Sequence, residues 1–139
     1  MARILAIDYG QKRVGLAVTD SLQIIATALT TVHSKDVIEY LKKYIENEDV
    51  ESFVVGLPLQ MNNTPSESSK FVNPFVKQLA KVFPSIPIYR IDERFTSKMA
   101  TQVILNSGVN KKTRQDKALV DTVSAVIILQ TFLESKKEL

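Results

Sequence analysis

Cysteine is absent from the 139-residue sequence, and histidine occurs only once, at His33. Without cysteine the chain has no disulfide, no thiolate metal site and no cysteine nucleophile. One histidine cannot build a histidine cluster, and we expect His33 to be incidental to function. A metal bound by this chain is therefore expected to have oxygen ligands.

Long hydrophobic runs are also missing. The first apolar run, Ile4–Ile7, is too short for the core of a signal peptide or for a membrane span. Internal repeats and domain linkers are absent too, so we expect a single domain over residues 1–139. Because the first apolar run is too short for a signal peptide or a membrane span, we expect this domain to be cytoplasmic and not to contact a membrane.

The composition is that of a globular protein, with 45% hydrophobic and 24% charged residues. Lysine and arginine total 18 against 15 aspartate and glutamate, which gives a formal net charge of +3. This mild basic excess permits a nucleic-acid partner without requiring one.

Strand-like and helical patterns follow one another along the chain. Short connections between the first three strands predict antiparallel hairpins. Pro74 lies inside a helical pattern and predicts a kink or two helical pieces. The predicted strands are Ile4–Ile7, Val14–Thr19, Ile24–Leu29, a buried strand at 54–57 and Ile86–Ile91. The first predicted helix starts near Lys35 with Ser34 as N-cap, and the second starts at Thr64-Pro65. The third runs from Thr96 or Ser97 to near Gly108, and the last from about Asp116 to Glu134.

This order, βββαβαβαα, predicts an α/β fold with a mixed five-stranded sheet and helices on both faces. Ribonuclease H-like domains are built in the same order. The last helix is apolar over most of its circumference, so we expect it to pack against the sheet.

Asp8 directly follows the first apolar strand and precedes Gly10, where backbone can approach another molecule closely. This position is typical of a functional carboxylate. An aspartate also caps turns by accepting bonds from backbone amides, and the motif alone does not separate the two interpretations.

Asp92 and Glu93 end the last predicted strand. By strand alternation Glu93 continues the face of Tyr89 and Ile91, whereas Asp92 continues the opposite face. The alternative is a solvated strand end at which Arg94 pairs locally.

Asp121 shares a helix face with Ala125, Ile128 and Phe132, so this carboxylate is expected to be buried. Burial costs several kcal/mol unless the carboxylate is paired, hydrogen-bonded or metal-bound. A buried ion pair with Arg13 or Arg94 is the alternative to a metal ligand.

The three acids come from the first strand, the last strand and the last helix, which a ribonuclease H-like sheet brings side by side. Neighbouring carboxylates repel, and hard cations with oxygen ligands relieve that repulsion. We therefore expect a cofactor of Mg²⁺ or Mn²⁺ at these acids.

With these residues placed, the sequence resembles the RuvX family, also called YqgF, distant relatives of the RuvC Holliday junction resolvases. The resemblance covers nearly the whole chain. It rests on Asp8-Tyr9-Gly10 with Arg13, Gly15 and Ala17, on Val55-Gly56-Leu57-Pro58-Leu59, on Asp92-Glu93-Arg94-Phe95-Thr96-Ser97, and on Lys117 and Asp121 before Ser124-Ala125.

The resemblance implies a ribonuclease H-like nuclease with the acidic triad Asp8, Glu93 and Asp121 as catalytic and metal-binding residues. For such a nuclease we expect two Mg²⁺ or Mn²⁺ ions, one to activate water and one to stabilise the departing 3′ oxygen of a phosphodiester. It implies either trimming of the 5′ end of precursor 16S ribosomal RNA or resolution of Holliday junctions, with RNA favoured as the partner. Trimming requires only a monomer, whereas junction resolution requires a two-fold dimer, so a monomer or a weak homodimer is expected.

Substrate contacts are expected from backbone, amide and basic groups near these acids, which would bind phosphate or sugar without base specificity. The basic loop before the last helix is a candidate phosphate-binding segment. The predicted contacts are Gly10, Arg13, Gly56, Gln60, Asn62, Arg94, Lys98, Lys111, Lys112, Arg114 and Lys117.

Two other function classes stay open. Actin- and sugar-kinase-like phosphotransferases also begin with an aspartate-glycine hairpin, but their nucleotide lies between two such domains and this chain supplies one. A non-catalytic nucleic-acid-binding module would show neither Mn²⁺ binding nor cleavage.

Overall fold

The computed structural model describes residues 2–57, 69–92 and 117–137. The strands are β1 (Arg3–Tyr9), β2 (Arg13–Thr19), β3 (Ala26–His33), β4 (Val50–Leu57) and β5 (Ile88–Asp92). The described helices are α1 (Val37–Asn47), α2 (Ser69–Val82) and α3 (Lys117–Lys137). The helix predicted from Thr96 or Ser97 to Gly108 lies outside the described residues.

The strands form one five-stranded sheet in the order β3-β2-β1-β4-β5. The two hairpins are antiparallel, whereas β4 pairs in parallel with both β1 and β5. The predicted mixed α/β sheet is therefore confirmed. Because β1, β4 and β5 run in the same direction, their ends at Tyr9, Leu57 and Asp92 lie along one border, here termed the carboxyl edge.

Alternating residues of the strands supply two hydrophobic layers. Helices α1 and α2 pack on one face around Phe53, whose ring meets that of Phe83 edge to face at 5.5 Å. Helix α3 packs on the other face, where Ile4 and Ile128 are fully buried. Each such side chain contributes roughly 1.5–3 kcal/mol when it leaves water. The predicted packing of the last helix is confirmed.

Strand β3 begins later than the sequence pattern predicts. The pattern places Ile24 and Ile25 in the strand, yet both precede it and are 61% and 62% exposed. The Asp20 carboxylate accepts hydrogen bonds from the backbone N–H groups of Ile24 and Ile25, at 2.8 and 2.9 Å. These bonds hold the loop in a turn, so β3 begins only at Ala26.

One helix prediction was wrong in detail, and one of the two outcomes predicted at Pro74 is excluded. Ser34 does not cap α1, because its hydroxyl donates to the Gln11 carbonyl at 2.7 Å and the helix begins after Asp36. Helix α2 continues through Pro74, so two separate helical pieces do not form. Phe75, directly after this proline, is 4% exposed in the core, and such packing offsets the cost of the missing N–H donor. The predicted start at Thr64-Pro65 lies outside the described chain.

The turn between β1 and β2 is tight and requires glycine. The Gly10 N–H donates to the Arg13 carbonyl oxygen at 2.9 Å, and a Cβ added at Gly10 would lie 2.5 Å from that same oxygen. The Arg13 carbonyl belongs to the backbone of the same turn, so it cannot move away from the Cβ unless the turn opens. The turn thereby sets the register in which Asp8 faces Gly15.

Within the described ranges, no helix is long and apolar enough to cross a membrane.

Replacing Gly10 with alanine should destabilise the protein, because the new Cβ would force the turn open. We expect Gly10→Ala to lower the free energy of unfolding by roughly 1–3 kcal/mol, measured by urea denaturation. Gln11→Ala, which removes an exposed side chain from the same turn, is the control. Equal stability of Gly10→Ala and the parent would contradict this account of the turn.

Asp20 should make stability depend on pH. Backbone hydrogen bonds from Ile25 and Ile24 lower the pKa of Asp20 below its ordinary value of 3.8. Its contribution is therefore complete above that ordinary value and is lost as the pH falls through the lower folded pKa. We expect Asp20→Asn to lose less stability than the parent between about pH 6 and about pH 2 in urea titrations.

The control for Asp20 is Asp49→Asn, which changes an exposed aspartate outside the loop. A fall in stability that is as steep in Asp20→Asn as in the parent would show that the Asp20 carboxylate does not hold this loop.

Candidate active site

Asp8 lies at the carboxyl edge, next to the last residue of β1. Its side chain follows Ile4 and Ala6 on the face that packs against α3, because alternate residues of a strand share a face. The apolar residues before it are completely buried, whereas Asp8 itself is only half-buried. The strand therefore carries a carboxylate from the core to the border of the sheet, where a ligand can reach it.

A lateral row of residues links Asp8 to helix α3. Asp8 is the partner of Gly15 on β2, and Gly15 is the partner of Thr31 on β3. The Thr31 hydroxyl shares a 2.6 Å hydrogen bond with the hydroxyl of Thr122 on α3. This bond sets the lengthwise position of the helix and brings the backbone of Asp121 to the level of Asp8. Sequence reasoning missed the threonine pair, although Thr122 directly follows Asp121.

Strand β5 brings a further segment to the same edge. Asp92 is in register with Leu57, the last residue of β4. Tyr89 and Ile91 face α3, and the Tyr89 ring lies 5.2 Å from that of Phe132. Ile88 packs in the opposite layer, so the described part of β5 alternates as the sequence predicted.

Several predicted site residues lie outside the described residues, either wholly or in their side chains. The side chains of Lys117 and Asp121 lie outside the description, although both residues belong to α3. The residues that are wholly outside the described ranges are Gln60, Asn62, Glu93, Arg94, Lys98, Lys111, Lys112 and Arg114.

The remaining predicted contacts, Gly10, Arg13 and Gly56, lie at or beside the carboxyl edge. Gly10 has the structural role in the turn described above. Arg13 is half-buried at the first position of β2. Gly56 is buried near the end of β4, where its carbonyl oxygen accepts a bond of 3.4 Å from the Arg90 guanidinium. Arg90 is a cation near this edge that sequence reasoning treated only as a strand residue.

His33 ends β3 opposite Arg13, and its Nδ1 accepts a hydrogen bond from the backbone N–H of Lys35 at 3.1 Å. The imidazole therefore takes part in the turn before α1, which agrees with an incidental role.

The chemistry of this edge fits a hard cation. Among the described residues there is no group of three or more histidine, cysteine or acidic side chains that could hold a metal. The half-buried Asp8 carboxylate and the Ser124 hydroxyl are oxygen groups, and the Ser124 Oγ is buried without a hydrogen-bond partner among the residues that the structure describes. A carboxylate such as that of Asp8 suits Mg²⁺ or Mn²⁺ rather than softer metals.

Comparison with solved structures identifies the fold. The chain is similar to Thermus thermophilus RuvC in complex with a Holliday junction substrate, with a TM-score of 0.57 and 15% identity. The alignment covers 98% of this chain and 96% of RuvC. RuvC solved without a substrate named in its description aligns with a TM-score of 0.54. At this identity the likeness concerns the ribonuclease H-like fold alone.

Comparison with known sequences is more specific. A protein of Phocaeicola vulgatus named "Putative pre-16S rRNA nuclease" is 58% identical over 99% of both chains. A protein of the same name from Flavobacterium johnsoniae is 53% identical over 99% of both chains. The model of the RuvX family, described as a Holliday junction resolvase, matches residues 2–135. The chain therefore belongs to the RuvX family.

Proposed function

We propose that this protein is a metal-dependent nuclease that hydrolyses phosphodiester bonds and trims the 5′ end of precursor 16S ribosomal RNA. The observation that carries the proposal is the placement of Asp8 at the carboxyl edge, on the face covered by α3. The Thr31–Thr122 hydrogen bond brings the backbone of Asp121 to that level. The proposed substrate, precursor 16S ribosomal RNA, is taken from the names of the sequence relatives.

The proposed catalytic residues are Asp8, Glu93 and Asp121. Tyr89 and Ile91 face α3, and strand alternation favours Glu93 over Asp92 for that face. Asp121 lies one residue before Thr122, in the part of α3 held beside the sheet.

The three carboxylates would hold two Mg²⁺ or Mn²⁺ ions, which would supply the Lewis acidity for phosphodiester hydrolysis. The pairing of β1 with β4 and of β4 with β5 would position Asp8 and the residue after β5, and α3 would position Asp121. Half-burial of Asp8 strengthens its attraction to a cation, because nearby water is partly excluded.

Substrate binding would depend on the phosphate backbone. Arg13 lies at the carboxyl edge, and the segment before α3 carries Lys111, Lys112 and Arg114. Basic groups bind phosphates without reading the base sequence, and end trimming does not require a second active site. A monomer acting in the cytoplasm is therefore sufficient for the proposed reaction.

Resolution of Holliday junctions is the second candidate, and the description of the family model favours it. A four-way junction presents two strands for symmetrical cleavage, so this activity would need a two-fold dimer. Cleavage of precursor 16S RNA and of a four-way DNA junction, assayed side by side with Mn²⁺, separates the two candidates.

Removing any one carboxylate should abolish cleavage while the protein still binds RNA. We expect Asp8→Asn, Glu93→Gln and Asp121→Asn each to reduce the single-turnover rate by more than about 100-fold. RNA affinity should change by only a few fold, because phosphate binding depends mainly on basic groups.

The control for this triad is Asp49→Asn, which changes an exposed acid at the opposite border of the sheet. Persistent cleavage in a contamination-free Asp8→Asn preparation would rule out the proposed site.

Neutralising the basic segment should weaken RNA binding and its dependence on salt. Each phosphate contact on single-stranded nucleic acid contributes about 0.7 to the slope of log affinity against log salt. We expect Lys111→Gln, Lys112→Gln and Arg114→Gln together to reduce that slope by up to about 2 in filter-binding titrations.

A matched variant with the same change in charge is Lys42→Gln, Lys77→Gln and Lys81→Gln, on exposed positions of α1 and α2. Those helices pack on the other face of the sheet. If both triple variants change the slope equally, the segment before α3 does not bind phosphate specifically.

A further inference from the structure

Ser124 carries a buried hydroxyl that forms no hydrogen bond within the described part of the chain. The residue is 1% exposed, and its Oγ has no hydrogen-bond partner among the described residues. A buried hydroxyl without a partner loses its bonds to water and gains nothing in return, so alanine at this position would favour folding. A helix also accepts alanine more readily than serine.

The other hydroxyls on the described side chains of α3 all form hydrogen bonds. Thr122 bonds to Thr31 at 2.6 Å, Thr131 donates to the Ile127 carbonyl at 2.8 Å, and Ser135 donates to the Phe132 carbonyl at 2.8 Å. A buried serine of a helix can ordinarily bond to its own backbone in this way. Ser124 is the exception on a helix where such bonds are otherwise made.

The position of Ser124 explains what the hydroxyl could bind. It lies one helical turn after Asp121, and residues at this spacing are neighbours on a helix surface. Thr122 reaches β3, whereas Ser124 lies about 200° further around the helix axis, next to Ala125, which packs in the layer of β1 and β4. Asp8 is on β1 at the level of Thr122, so Ser124 lies about 3 Å along the helix axis from the level of Asp8.

We propose that Ser124 is a positioning residue, whose hydroxyl donates a hydrogen bond to a carboxylate oxygen of the cation-binding site and holds it in its ligating orientation. The inference rests on the proposed nuclease function and deepens it. Groups that bond to metal ligands fix ligand orientation, and their loss commonly weakens metal affinity by 10- to 100-fold. The Ser124 hydroxyl would thus lower the stability of the fold, and correct orientation of the metal ligand would offset that loss.

Ser124→Ala in the intact chain tests this inference with Mn²⁺ as the probe. Without divalent cation, the Tm of the variant should equal or exceed that of the parent, because a buried hydroxyl without a partner is removed. The Kd for Mn²⁺, measured by calorimetry, should rise about tenfold. The kcat should fall while KM for RNA stays unchanged, since Ser124 does not touch the nucleic acid.

Ser135→Ala is the matched control, because it removes a hydroxyl from the same helix that bonds to Phe132. Its Mn²⁺ affinity should equal that of the parent. Two results would overturn the inference for Ser124→Ala: a Mn²⁺ affinity within twofold of the parent, or a lower Tm without cation, which would reveal a bond within the fold.

The same measurements distinguish a failure of the Ser124 inference from a failure of the proposed nuclease function. If the parent binds Mn²⁺ and cleaves RNA but Ser124→Ala behaves identically, only the role of Ser124 fails. If the parent neither binds Mn²⁺ nor cleaves any nucleic acid, the proposed function itself fails and the role of Ser124 fails with it.

Discussion

Helix α3 lies across the face of the sheet that carries Asp8, and the proposed site depends on this contact. Apolar side chains of α3, among them Ala125 and Ile128, meet Ile4 and Ala6 of β1 in a fully buried layer. This layer holds the helix against the sheet. The hydrogen bond between Thr31 and Thr122 is directional and joins the helix to β3 at the level of Asp8.

In the proposed site, a cation would relieve the repulsion between neighbouring carboxylates. Asp8 is half-buried, and further carboxylates near it would repel it more strongly than in water. Oxygen ligands on separate elements avoid this repulsion when a hard cation lies between them. The Ser124 hydroxyl, which has no hydrogen-bond partner among the described residues, fits the same proposal, since it would be a donor to one of these carboxylates.

The fold and the family membership support different conclusions. A TM-score of 0.57 at 15% identity relates the chain to RuvC by architecture, and one architecture serves many chemistries. Identities of 58% and 53% over nearly complete chains relate it to the named nucleases much more closely. Membership in the RuvX family also favours a nuclease over the kinase-like phosphotransferases that share the opening hairpin.

Hydrophobic periodicity in the sequence determined the element order, the mixed sheet and the packing of α3, because these depend on which residues leave water. Asp8 at the end of the first strand and the alternation of β5 were predictable for the same reason. Tertiary contacts decided the start of β3, where Asp20 binds the amides of Ile24 and Ile25. They also decided the continuity of α2 through Pro74 and the bond between Thr31 and Thr122. A side-chain hydrogen bond between residues distant in sequence leaves no periodic signal, so only the folded chain reveals that the backbone of Asp121 lies at the level of Asp8.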